Sequence, residues 1–434
     1  MNESLQQPPD VKTESLQGKE FVCAAEAAYW EERELGRDVS GADICRDCFG
    51  LSDLQGLTVS DKLCKFLTKG SRQRPAADVR LFQAPAVQQH GKGDSMSEAM
   101  EFVKNIKVGI SIGNTLDATD GRLKKDAAPS AFETAWHNPV ITKRFVDSIL
   151  DAGFNLVRIP VSWTNHLGEA PDFVIEKSWL DRVQEVVDYV YSRKAYIILN
   201  LHHEDWNFPY YDNCEAACRK IRAVWKQLCE RFADYDEHLI FEAQNEPRKV
   251  GTELEWNGGD EEGWEVVNTT NRAFLETVRA AGGHNSGRYV MLPGYGANCK
   301  VGIRHIAVPE DKKVIISVHA YEPYEFALQI PGRRNWNHDT EEIDRLMRDL
   351  QELYTDRGIP VIIGEFGAMN KEDNEDERAE WVKYYVSAAA GIGVPCVWWD
   401  NGLFEGEGEL FGLFNRHDCT CAYPKVLQGL VCTE

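Results

Sequence analysis

Two glutamates carry the strongest chemical signal in the chain. Glu246 stands in LIFEAQNEP and Glu365 in PVIIGEFGA. Each closes a short apolar, β-branched run, and turn chemistry follows at Pro247 and Gly367. Such a run reads as a buried strand of a parallel sheet. A carboxylate at the C-terminal tip of a barrel strand stands where that architecture holds reacting groups. Two carboxyls on two strands, sharing one substrate bond, are the equipment of glycoside hydrolysis.

The retaining form of that reaction needs an ionised nucleophile and a second carboxyl that starts protonated, about 5–5.5 Å away. A cation and hydrogen-bond donors keep the nucleophile ionised, and Arg158 and Tyr321 suit Glu365 in that role. The acid is expected to have a raised pKa, through burial and a nearby negative charge. Asn245 suits a sugar hydroxyl, and His202, His203 and His319 suit the orienting of sugar or carboxyl. These residues alone do not say which glutamate plays which part.

The elements that must position these groups follow from periodicity. Apolar runs recur at KVGISIGN, NLVRIPVSW, AYIILNLHH, HLIFEAQNEP, RYVMLPGY, KVIISVHAY, PVIIGEFGA and VPCVWWDNG. Amphipathic stretches of helical length separate most of them, such as WLDRVQEVVDYVYSRK. The alternation predicts an α/β fold, a (β/α)8 TIM barrel over residues 96–434. An open doubly wound sheet usually carries G-x-G-x-x-G after its first strand, and GISIGN does not match.

Polar and aromatic groups then gather at the strand ends. These are Asn114 and Asp117, Arg158, His202 and His203, Asn245 and Glu246, His319 and Tyr321, Glu365, and Trp398 to Asn401. The fifth end offers only Tyr295 and Asn298. Core packing gives no reason for that segregation. Residues 202 and 203 are adjacent, so on a strand they face opposite ways. With no HExxH motif either, no metal site is expected there. Likewise one of Trp398 and Trp399 should pack in the core while the other faces the site. Trp206, Trp256, Trp264 and Trp336 fall in loops of the same face and suit sugar platforms.

Residues 1–95 read differently. Polar, Pro/Gly-rich segments flank AAEAAYWEERELG and LQGLTVSDKLCKFLTK, which predicts an N-terminal extension that is partly helical or disordered. Cys45 and Cys48 form a CxxC with Cys23 and Cys64 at looser spacing, a weaker match to a zinc knuckle than to unpaired or disulfide cysteines. Cys229, Cys299 and Cys396 read as buried thiols. The net charge of -22 argues against nucleic acid and anionic membranes as partners. No apolar run reaches 18 residues, so no membrane span is expected, and the first residues do not form a signal peptide as written.

At these positions the chain resembles glycoside hydrolase family 5, the cellulase family A group, over most of residues 100–432. The segments are GISIGNTLDA, FETAWHNP, AGFNLVRIPVSW, LNLHHEDW, FEAQNEP, VHAYEPY, IIGEFGA and VWWDNG with FGLFNR. FETAWHNP and WWDNG further resemble subfamily 4, whose members cut β-1,4-glucan, mixed-linkage glucan and xyloglucan. The resemblance implies Glu246 as general acid/base and Glu365 as nucleophile. It implies Arg158, His202, Asn245, His319, Tyr321 and Trp399 as further site residues, and Asn114 and Asp117 as a substrate-binding pair. It implies an endo-β-1,4-glucanase that needs no cofactor and acts as a monomer on β-glucan. A xyloglucanase, a mannanase and an intracellular β-glucosidase are the nearest alternatives. Family expectation places the enzyme outside the cell, whereas the missing signal peptide favours the cytoplasm.

Overall fold

The computed structural model describes residues 98–372 and 374–432. The two helical stretches and the four cysteines of the extension lie outside these residues. Eight strands alternate with helices: β1 Gly109–Ile112, β2 Leu156–Ile159, β3 Tyr196–Asn200, β4 Leu239–Glu242, β5 Val290–Asn298, β6 Val314–His319, β7 Val361–Phe366 and β8 Cys396–Asp400. They pair in parallel in chain order, and β8 closes back on β1 as a barrel. The alternation in the sequence is thus realised as a (β/α)8 barrel.

The helices form where apolar residues return every three or four positions. Lys177–Tyr191 buries Trp179, Val183, Val186, Val187 and Val190 along one stripe. Side chains secure two of the helix starts. Thr142 accepts from the Phe145 N–H ahead of Lys143–Asp151, and Asp260 accepts from the Gly263 N–H ahead of Glu261–Ala280. Cys229, Cys299 and Cys396 are buried and unpaired, as expected. No helix among the described residues is long and apolar enough to cross a membrane.

The barrel interior is layered, and the layers explain where chemistry begins. Its lower layer is apolar: Leu156, Ile198, Ile240, Met291, Ile315, Ile362 and Val397 come from seven strands. The eighth strand supplies Gly109, where a Cβ would lie 2.8 Å from Leu156. The helix Glu98–Val103 closes the floor, with Phe102 stacked on Tyr289 at 3.7 Å between ring centres. Each fully buried aliphatic side chain in this layer contributes about 1.5–3 kcal/mol. Side chains of a strand repeat on one face every second residue. Two positions further along, the same strands therefore point Ser111, Arg158, Asn200, Glu242, Ser317, Gly364 and Trp399 inward. One step changes the interior from apolar to polar and sets the base of the site.

Candidate active site

Arg158 is the centre of the polar layer. It is fully buried and donates to three residues: Nε to Glu242 at 2.8 Å, Nη1 to Glu365 at 2.6 Å and Nη2 to Asn245 at 2.7 Å. Burial works against its charge, but Glu242 and Glu365 more than restore it and raise its pKa. Glu242 also accepts from Asn200 at 3.0 Å and Ser317 at 2.6 Å, so the carboxylate beneath the site is fully engaged. Glu242, Asn200 and Ser317 were not singled out in the sequence. Their signal was the two-residue spacing from the apolar layer.

Glu365 reaches the site through an irregularity. By simple alternation from Ile362 and Gly364 it would face the helices. The register with β8 shifts between Ile363 and Phe366, and that with β6 shifts between Val318 and His319. Such a shift re-aims a side chain. The Tyr321 hydroxyl donates to the second oxygen of Glu365 at 3.0 Å, beside the Arg158 contact on the first. Burial, and then the charge of Glu365, push the Tyr321 hydroxyl well above its ordinary pKa, so it remains a donor.

Glu246 follows β4, and His319 ends β6. Nδ1 of His319 lies 2.7 Å from Glu246 and 3.6 Å from Glu365. Donor atoms of Glu246, His319 and Glu365 all lie within 4.8 Å of one another, so the two carboxyls are close enough to flank one bond. Burial lowers the His319 pKa, but the charges of Glu365 and Glu246 prevail and raise it. Burial raises the Glu246 carboxyl, yet the His319 hydrogen bond and charge, followed by Arg248, hold it below the usual range. This corrects the expected raised pKa of Glu246: its nearest partner is a base that takes the proton. Arg248 was also missed, and lies 3.6 Å from Glu246.

The remaining expected residues converge on the same mouth. Trp398 is buried in the core, while Trp399 faces the site and stacks on His202 at 5.6 Å with ring planes 9° apart. Nδ1 of His202 takes the Asn200 amide at 3.1 Å, which leaves Nε2–H to donate into the cleft. Burial holds His202 neutral, far below its usual pKa, and also lowers His203. His203 does not turn away from His202 as alternation suggested. Both lie past the end of β3, their rings are 4.4 Å apart, and their donor atoms lie within 4.8 Å of those of Asp117. Asp117 accepts from the Asn114 and Thr115 N–H groups at 2.9 and 2.8 Å, and burial pushes it up to about 6. Asn245 accepts from Arg158, which leaves its amide N–H groups for a ligand.

A cleft of about 260 Å³ leads away from this centre past His203, Glu204, Phe208, Glu246 and Arg248. Of the four tryptophans expected in loops, Trp336 is no platform: it is buried and bonded within its own loop to Asp339. Trp264 lies not in a loop but in the first turn of the helix Glu261–Ala280, half-buried and stacked on His305, and Trp206 is half-buried beneath Lys220. Trp256 alone of the four is exposed. Asp400 and Asn401 hold the loop after β8, accepting from Gly402, Leu413 and Phe414, and from Leu403 and Phe411.

Residues 122–405 match the family model described as cellulase (glycosyl hydrolase family 5). The chain belongs to glycoside hydrolase family 5. It is 50% identical over 335 residues to Endoglucanase B of Neocallimastix patriciarum, covering 76% of this chain and 71% of that protein. It is 46% identical to Endoglucanase A of Ruminococcus albus, covering 77% of this chain and 92% of the relative. Among solved family 5 structures, a GH5-4 broad specificity endoglucanase from Ruminococcus champanellensis with bound cellotriose superposes with a TM-score of 0.75. That pair is 40% identical, over 78% of this chain and all of the other. A family 5 lichenase from Caldicellulosiruptor sp. F32 in complex with cellotetraose gives 0.74 at 38% identity, over 80% and 98%.

Proposed function

We propose that the protein is a retaining endo-β-1,4-glucanase, with Glu365 as nucleophile and Glu246 as general acid/base. The observation that carries this reading is the placement of the two carboxyls, within 4.8 Å through their nearest donor atoms and differently partnered. Inverting enzymes hold them roughly 6.5–9.5 Å apart to admit a water. Glu365 has Arg158 and Tyr321 on its two oxygens, which stabilise its charge and aim it. Glu246 has His319, which holds a proton next to it.

In the first step the proton passes to the glycosidic oxygen from Glu246, backed by His319, while Glu365 attacks the anomeric carbon. The bond to the leaving sugar breaks and a glycosyl ester with Glu365 forms. In the second step Glu246, now ionised, takes a proton from water, and the water oxygen displaces Glu365. Two displacements leave the β configuration in the product. Asn245 and His202 present N–H groups toward sugar hydroxyls, and Trp399 offers a flat face.

Every group in this chemistry comes from one chain, so the reaction itself calls for no second subunit. A polymeric substrate also implies an enzyme that works outside the cell. The test is reducing-sugar release from carboxymethyl cellulose, barley β-glucan, xyloglucan and mannan beside a short cello-oligosaccharide. Release from a β-1,4-glucan polymer is expected. Release from the oligosaccharide alone would replace the endo-acting enzyme with a trimming β-glucosidase.

A further inference from the structure

Arg158 faces two carboxylates, and only one of them takes part in the displacement. Glu365 stands at the cleft, whereas Glu242 is fully buried at the end of β4, one layer below, and is closed off from substrate. One Glu242 oxygen nevertheless takes both Nε and Nη2 of Arg158, each at 2.8 Å. Glu365 takes Nη1 alone, at 2.6 Å. Burial works against the Arg158 charge, and of the two carboxylates that restore it Glu242 contributes more than Glu365. Asn200 at 3.0 Å and Ser317 at 2.6 Å complete the Glu242 contacts, so the side chain is fixed against the guanidinium.

The reaction gives this second carboxylate a task. As a Glu365 oxygen bonds to the anomeric carbon, the glycosidic bond breaks with its electron pair on the departing oxygen, which takes the proton supplied through Glu246. Glu365 thereby changes from an anion to a neutral ester. Arg158 loses one of its two counter-charges at that moment, and it is fully buried. A buried cation without a partner is strongly disfavoured. Glu242 remains, so the guanidinium stays paired. Two anions around one cation also leave a surplus negative charge in the resting site, which favours the positive character of the sugar in the transition state. When water displaces Glu365 in the second step, the carboxylate returns and the change is reversed.

Resting on the retaining mechanism above, we propose that Glu242 is a positioning residue that acts through Arg158, holding the counter-charge of the guanidinium while Glu365 is esterified. Without that charge, Arg158 binds ionised Glu365 more tightly and is stranded in the ester. Formation of the glycosyl-enzyme then slows, and its breakdown does not.

The test uses a cellobioside with fluorine at C2 and dinitrophenolate as leaving group, which forms the ester and releases it slowly. Trapping is read from dinitrophenolate absorbance and the mass of the labelled protein. Reactivation is read from recovered turnover of barley β-glucan after the reagent is removed. Glu242→Gln keeps the shape of the side chain, with its oxygen toward Arg158 and Asn200 and its amide toward the Ser317 hydroxyl, so it removes charge at constant packing. Trapping is expected to slow about tenfold or more, with reactivation as fast as in wild type or faster. Glu242→Asp, which keeps the charge but sets it further from Arg158, is expected to show the same split in smaller measure. Trapping within twofold of wild type in Glu242→Gln, or trapping and reactivation slowed together in the two variants, overturns the assignment and leaves the retaining mechanism intact. Wild-type protein that is never labelled overturns the retaining mechanism, and this inference with it.

Discussion

His319 lies between the two carboxyls, with Nδ1 at 2.7 Å from Glu246 and 3.6 Å from Glu365. A single imidazole thus bonds one carboxylate and feels the charge of both. Its pKa is raised above 6.5 and that of Glu246 is lowered below 4.5, so the pair holds its last proton on the ring side. Among the described residues Nε2 has no hydrogen-bond partner, whereas Nδ1 is bonded to Glu246.

The pH profile should show this pairing. Glycosyl transfer needs a proton available to Glu246 and none on Glu365. As pH rises, the pair loses that proton at the value set by the imidazole, above 6.5. In His319→Gln the proton is held by the carboxyl alone. The basic limb of kcat/KM is therefore expected to move to lower pH, by about one unit or more. An unmoved limb would remove His319 from the proton path.

Arg158 should be the costliest single position. It is buried, and its removal strands Glu242 and Glu365 as buried carboxylates without their cation. Lysine cannot reproduce three divergent N–H donors. Arg158→Lys is expected to lose about 3–5 kcal/mol in urea unfolding as well as most of kcat. A loss under about 1 kcal/mol would show that the network does not bear on stability.

Gly113 offers a test of the site floor that touches no catalytic group. A Cβ there would lie 2.5 Å from the Trp399 indole, so the ring must move or the strand end must give. Gly113→Ala is expected to cost about 1–3 kcal/mol of stability and to lower kcat/KM about tenfold. Wild-type kinetics in that variant would argue against Trp399 as the surface on which the sugar rests.

The two glutamates should separate by rescue. Without its nucleophile, Glu365→Ala should lose turnover and regain it with azide, giving an α-glycosyl azide by one displacement. Glu246→Ala still forms the ester on Glu365, so azide should give the β product on a substrate with a good leaving group. The opposite stereochemistry in the two variants would exchange the roles assigned here.

The strand ends were legible because a barrel places polar groups after apolar runs, and Arg158, Asn245, His319, Tyr321 and Trp399 all sit at such ends. Glu242 was not, since the apolar run reads on past it to Glu246, although β4 ends at Glu242. Nor could alternation predict Glu365, whose inward aim comes from a shifted register, or the approach of His203 to His202 beyond β3. Trp336 was misread because a loop position does not say whether the ring points out or under. The lowered pKa of Glu246 depends on a contact between residues 73 positions apart, which no local pattern encodes.

The most direct measurement is the anomeric configuration of the first product. Proton NMR in the opening minutes of cello-oligosaccharide hydrolysis, before mutarotation, reads it without mutation. Double displacement through Glu365 predicts that the β-anomer appears first and the α-anomer grows in later. Initial release of the α-anomer would contradict a covalent Glu365 intermediate and the account built on it.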